Sequence, residues 1–432
     1  MTNFLTETWY LILPFLEFGL AIIVSIWWVF LLYYAIKLLH FSYLLWKNTE
    51  WALANVQNIL LEIKFPREIL KPLRVMEDVF SVIWGAMYDP PNTKEKYFEG
   101  KFLLGFSLEI VSLEGIPHFY IRIPKAVRRT MESAIYSQYP NVELREVTDY
   151  VNLVPRDLPN KEWDLWGCNF MPTRSDVYPI KTYKKFFEQN VDAPYEEKRI
   201  DPITDLIEAM SRIGESEQIW FQILAYSADD EANDYVKRGK ELVNELSKRP
   251  KPKKQKSLFQ LLIDIFTGNF NDEKKEENLL PPEMFLTSGE RDVVNAIEEK
   301  ISKLGFNCSI RSMYLAKKEK FFSPNKALPL AYMNQFNSKN LNSLVPWKKN
   351  VTKIQAPDFL QERRLFLRKR DMFLRYISRD TPFSPFSGGT CFLNVEELAT
   401  LFHFPGLEVA PTPQLERLEI RKAPPPPTLP IE

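Results

Sequence analysis

The sequence predicts an α+β protein: one N-terminal transmembrane helix, then tandem ferredoxin-like (split βαβ) α/β units with a charged insertion and a Pro-rich C-terminal tail. Three observations predict it. Residues 18–36 run without a charged side chain. Between Ile59 and Tyr150, segments of period two and period 3.6 alternate in the order β-α-β-β-α-β, the order of a split βαβ unit. The runs KRPKPKKQK and APPPPTLPIE are too basic or too proline-rich to pack.

The apolar run Phe18 to Ile36, FGLAIIVSIWWVFLLYYAI, is long enough for a hydrocarbon core of roughly 30 Å. A helix there satisfies its own backbone in lipid. Trp27, Trp28, Tyr33 and Tyr34 suit a bilayer better than a soluble core. A cleaved leader needs a basic start, yet no Lys or Arg precedes Lys37. Lys37, Lys47, Lys64 and Arg67 follow the span, whereas Glu7 and Glu17 precede it. The positive-inside rule therefore puts residues 1–17 outside and the C-terminal body in the cytoplasm, at the inner membrane. Residues 37–57, with Trp46 and Trp51 among charges, form a juxtamembrane segment that is either a continuing helix or a plain connector.

The first ferredoxin-like domain is expected over 58–152. It contains the strand ILLEIKF, a helix near Leu73 to Met87, the strands FLLGFSLEIVS and HFYIRI, the helix AVRRTMESAIY and the strand VELREVTDY. A second α+β domain is expected over 175–317, opening with the strand VYPIKTY. Asp201 and Pro202 then cap the helix DPITDLIEAMSRI. The strand EQIWFQILAYSA, a basic and acidic insertion at 248–280, the helix ERDVVNAIEEKISKL and the strand FNCSIRSMYLA complete that domain. Residues 318–409 read as a mixed region with a basic helix from Gln361 to Tyr376, and 410–432 as a polyproline arm.

The chemistry is sparse. Lys+Arg and Asp+Glu number 56 each, so no global field draws the chain to nucleic acid. Cys168, Cys308 and Cys391 are odd in number and scattered, which suits a reducing compartment. No GxxxxGK[ST] loop, HExxH or CxxC occurs, so no cofactor or metal is expected. Cys391 with His403 is the one catalytic pairing to weigh; their apolar neighbours favour core positions. Adjacent Glu396 and Glu397 fit a first helical turn better than a carboxylate dyad. Arg363, Arg364, Arg368, Lys369 and Arg370 are candidate phosphate contacts, or else a solvated face. Leu398, Leu401, Phe402 and Phe404 form an apolar cluster that either docks a partner or packs in its own domain.

The strings ILLEIKFPREILKPLRVMEDVF, DPITDLIEAMSRIGESEQIWFQILA, SGERDVVNAIEEKISKLGFNCSIR and LNVEELATLFHFPG resemble the region ahead of the motor in membrane-anchored HerA/FtsK-like and TraD-type coupling ATPases. These serve type IV secretion and conjugation, especially in small-genome bacteria, and the resemblance runs from about Ile59 to Pro430. It implies a non-catalytic membrane component that anchors or positions a separately encoded ATPase, because the nucleotide-binding domain that follows in that family has no counterpart in these residues. The partners implied are the membrane and that ATPase, with homo-oligomerisation and a weak, electrostatic nucleic-acid contact also open. A general envelope scaffold, or an enzyme with an unrecognised site, are the alternatives.

Overall fold

The computed structural model describes residues 2–66, 72–189, 197–199, 201–228, 234–247, 286–354, 360–383 and 388–405, with helix side chains near the N-terminus described at Ser25 and from Trp27 onward. The expected basic and acidic insertion at 248–280 and the Pro-rich tail at 410–432 lie outside these residues. The chain divides into two compact units.

The first unit is residues 1–57 with 90–102. A single helix, α1 (Thr2–Asn55), covers the expected span and continues through the juxtamembrane segment without a break. Its window Trp27–Asn55 has a mean hydropathy of 1.5 and is unburied, so α1 is long and apolar enough to cross a membrane. Residues 90–102 contribute a short π-helical turn at Glu95–Glu99. Tyr43 Oη donates to the Tyr97 carbonyl at 3.2 Å, and Trp51 meets Phe102 edge to face at 5.4 Å. Gly100, at φ +79°, is required here, because a Cβ would lie 2.4 Å from the Lys47 backbone.

The second unit holds the remaining elements. Its first half comprises β1 (Asn58–Lys64), α2 (Val75–Met87), β2 (Gly105–Leu113), β3 (Ile116–Pro124), α3 (Arg128–Gln138) and β4 (Glu143–Val147). There follow β5 (Trp163–Pro172), the small ribbon β6 (Phe187–Gln189) and β7 (Glu197–Arg199), α4 (Ile203–Ser211), β8 (Glu217–Ser227), α5 (Tyr235–Leu246), α6 (Ser288–Ile301) and β9 (Gly305–Lys317). The chain continues through α7 (Ala327–Asn334), β10 (Leu344–Pro346), α8 (Gln361–Ser378), β11 (Cys391–Asn394) and α9 (Val395–Leu401).

Among the described residues, nine strands form one antiparallel sheet in the order β10-β5-β9-β8-β2-β3-β1-β4, with β11 also on β9. The same order appears in each half: β4-β1-β3-β2 in the first and β10-β5-β9-β8 in the second, joined edge to edge by β2 and β8. Alternation along the strands decides which face each side chain takes. Phe106, Leu108 and Ile110 of β2, with Ile219, Phe221 and Ile223 of β8, share a core with α2, α3, α4, α7 and α9. On the other face Val111, Trp220, Met313 and Leu315 pack with Met372, Phe373 and Tyr376 of α8 and with Tyr150, Val154 and Leu158.

Two sequence expectations change. The segment VYPIKTY is not a strand, because its N–H groups are satisfied elsewhere: Ile180 N donates to Glu397 Oε1 and Tyr183 N to Thr400 Oγ1. The second half opens instead on β5, and its edge strand β10 comes from the region read as mixed.

Candidate functional site

A period of two places one residue per strand at the same level on the α8 face of the sheet. Register lines up Glu62, Tyr120, Glu109, Gln222, Arg311 and Asn169 across β1, β3, β2, β8, β9 and β5. Each is a polar group or phenol set in an apolar strand, and burying such groups is costly unless they are paired. The central three, Glu109, Gln222 and Arg311, are joined by hydrogen bonds, while Glu62 pairs with His118 and Asn169 with Ser309 and Asn350. Glu109, fully buried, accepts from Ser107 Oγ at 2.6 Å, Gln222 Nε2 at 2.7 Å and Tyr150 Oη at 2.7 Å. Arg379 donates to both its oxygens, Nε to Oε1 at 3.1 Å and Nη2 to Oε2 at 3.2 Å. The same guanidinium clamps Asp149, at 2.5 and 2.9 Å, the fork geometry for which Arg is suited.

Burial alone would push the Glu109 carboxyl up; the Arg379 charge and the hydrogen bonds of Arg379, Ser107 and Tyr150 outweigh it and hold it below the ordinary carboxylate value. Arg311 donates through Nε to Gln222 Oε1 at 2.6 Å and through Nη1 to the Asp380 carbonyl at 2.7 Å. Its Nη2 is buried and has no partner among the described residues. Burial lowers its pKa to about 10.

A cavity of about 570 Å³ opens beside this network at the C-terminal end of α8. Arg122, Arg156, Arg375 and Arg379 line it together with Asp149 and Asp380. A second charged cluster surrounds the start of α9. Lys300 and Glu397, both buried, pair at 2.8 Å, and Lys300 Nζ also reaches the Phe392 carbonyl at 3.2 Å. Glu396 bonds Lys184 at 2.8 Å and also pairs with Lys303.

The sequence-predicted residues can now be placed. Glu396 and Glu397 occupy the first turn of α9, with Asn394 as N-cap and Glu397 closing a capping box. Cys391 and His403 are both buried but make no catalytic pair. The His403 nitrogens are engaged, Nδ1 with the Ala399 carbonyl at 3.0 Å and Nε2 with Asp201 Oδ1 at 2.7 Å. Burial pushes the Cys391 thiol up to about 12, the opposite of an activated nucleophile.

Of the two readings of Leu398, Leu401, Phe402 and Phe404, the burial favours packing in their own domain: the first three are fully buried, and Phe404 stacks on Phe65 and meets Tyr139. Among the candidate phosphate contacts on α8, Lys369 is paired with Asp164 at 2.5 Å and Arg368 donates to the Lys353 carbonyl at 2.8 Å. Arg363, Arg364 and Arg370 are exposed. None of the five lines the cavity. Among the described residues no cluster of His, Cys, Asp or Glu could hold a metal ion.

Sequence reasoning missed Glu109, Asp149, Arg311 and Arg379. A signal existed for two of them: Glu109 in SLEIV and Arg311 in CSIRS are single charges inside otherwise strand-like runs. Their mutual approach across the three adjacent strands β2, β8 and β9 had none, because register is not written locally.

A family model described as Domain of unknown function (DUF8128) matches residues 106–350, more than half of the chain. It begins in β2 and ends just beyond β10, so it takes in Glu109, Arg122, Asp149 and Arg311 but not Arg379. A search of curated proteins finds no match.

Proposed function

The chain belongs to this DUF8128 family, whose description names no activity, and from its own structure we propose that it is a non-catalytic, single-pass membrane component that anchors and positions a partner protein. The observation that carries this reading is α1, whose apolar window Trp27–Asn55 is left unburied; exposed apolar surface of that extent is costly in water. Lys37 and Lys47, which follow the uncharged run 18–36, support an N-outside, C-inside orientation in the cytoplasmic membrane. The repeated strand order supports two ferredoxin-like halves, β4-β1-β3-β2 with α2 and α3, and β10-β5-β9-β8 with α4 and α7. In that reading α5, α6 and the residues between them are an insertion of the second half.

The resemblance of the chain to the region ahead of the motor in HerA/FtsK-like and TraD-type coupling ATPases makes a translocating ATPase the proposed partner, within a type IV secretion or conjugation apparatus. The test is affinity purification of the full chain from detergent-solubilised membranes. An ATPase of that kind should co-purify and should be lost when α1 is replaced by a polar, non-spanning segment that releases the body to the cytosol; purification without one leaves a general envelope scaffold. Orientation is read separately by thiol labelling in intact cells. Cys168, Cys308 and Cys391 are buried, so a Glu319→Cys variant on the exposed turn after β9 adds the reactive thiol. An impermeant reagent should spare it, and ready labelling would reverse the topology.

A further inference from the structure

We infer that the cavity at the C-terminal end of α8 binds a phosphate-bearing small molecule, held chiefly by Arg122 and Arg156. The argument begins with which cationic groups are already satisfied. Arg379 spends its fork on Glu109 and Asp149, and Arg375 chelates Asp371 through two bonds of 2.9 Å. Arg156 gives one bond, to Asn152 Oδ1 at 3.1 Å, and keeps its remaining donors. Arg122 is half-buried and has no hydrogen bond or ion pair among the described residues.

A guanidinium withdrawn from water with its five donors unmet is costly. Burial, and then the charge of neighbouring Arg379, lower the Arg122 pKa, as expected of an uncompensated cation. The counter-charges do not remove this excess. Asp149 is held by Arg379, and the Asp380 carboxylate accepts from Ser378 Oγ at 2.7 Å. The end of α8 adds roughly half a negative charge, but its terminal carbonyls are occupied: Arg379 N and Asp380 N donate to those of Tyr376 and Arg375.

An incoming oxyanion would supply the missing acceptors. Bidentate guanidinium recognition favours carboxylate and phosphate; two donor forks lining one cavity match a group with three or more oxygens, which selects phosphate. The volume of about 570 Å³ lies in the range of roughly 300–1,000 Å³ used for small ligands. The exposed positions of Asn152, Arg156 and Ser378 give the cavity a mouth to solvent. A soluble phosphate ester and a lipid headgroup share this chemistry.

The full chain in detergent micelles would be titrated with inorganic pyrophosphate, and separately with short-chain phosphatidic acid, following intrinsic fluorescence and thermal unfolding. At least one should bind saturably and raise the unfolding temperature, where sodium chloride of equal ionic strength does not. Pyrophosphate alone identifies a soluble ligand, and phosphatidic acid alone a headgroup. Arg122→Gln and the exposed Arg156→Gln should each weaken binding about tenfold or more. The second variant keeps the test valid if the first fails to fold. Absence of saturable binding by both probes, equal response to chloride, or unchanged affinity in the variants would overturn the site.

Discussion

Arg379 occupies a backbone conformation that an arginine does not choose. It follows α8 at φ +58°, ψ +38°, the left-handed position usually taken by Gly or Asn, at a cost of about 1–2 kcal/mol. Its side chain offsets that cost, since from there one guanidinium bonds both Glu109 and Asp149. Arg379→Ala should therefore destabilise the protein by about 3–5 kcal/mol, because it leaves Glu109 buried and uncompensated. Urea denaturation measures this; a loss under about 1 kcal/mol would mean that water replaces the pair. The acid response belongs to the same scale. Glu109, Glu62 and Glu396 all have folded pKa values below their ordinary 4.5. Stability from these groups is fully present above that value and is lost as pH falls through the lower folded pKa. The unfolding temperature should not change on their account between neutrality and about pH 5, then fall below about pH 4.5, with a shallower fall in Glu396→Gln.

Among the elements, α9 is the most strongly specified. Its N-cap and capping box are local: Asn394 Oδ1 accepts from Glu397 N at 2.8 Å, and Asn394 N donates to Glu397 Oε2 at 3.0 Å. Its apolar residues are tertiary, with Leu398 and Leu401 fully buried against the helix-side core. Leu398→Ala should cost about 2–5 kcal/mol, and Asn394→Ala about 1 kcal/mol, both by chemical denaturation. A Leu398→Ala protein as stable as the parent would restore a surface role for this residue. α5 and α6 show a different constraint. They approach so closely that a Cβ on Gly239 would lie 2.5 Å from Ile301 Cγ2, so Gly239→Val should loosen this pair while leaving the sheet intact, measurable as hydrogen exchange raised in α5 and α6 alone.

At the scale of the whole sheet, the β2–β8 junction sets cooperativity. The two strands pair along their length, from Gly105 with Tyr226 to Leu113 with Gln218, and Glu109 with Gln222 carries the buried polar row across the same seam. The second unit should unfold in one transition, with β1–β4 and β5, β8 and β9 losing hydrogen-exchange protection at the same denaturant concentration. Ile223→Pro, which removes a ladder donor in a central strand, should lower the stability of both halves together. Separate transitions for the two halves would show that they are independent modules.

The sequence by itself determined what depends on near neighbours: the uncharged run inside α1, the six elements of the first half, and the placement of Glu396 and Glu397 in the first turn of α9. Such features follow from periodicity and from bonds only a few residues apart. It misplaced β5, whose two faces are both largely buried so that its alternation is blurred, and read a strand into 177–183, whose backbone donors are taken by Glu397 and Thr400 more than 200 residues away in sequence. It also left open whether Leu398 and Phe402 were surface or core, since helical apolar spacing is the same in both cases. Tertiary structure alone decided these points, and it alone brought Glu109, Asp149 and Arg379 together. Strand register and the long return of the chain through α8 set those distances, and neither is encoded within the reach of a local pattern.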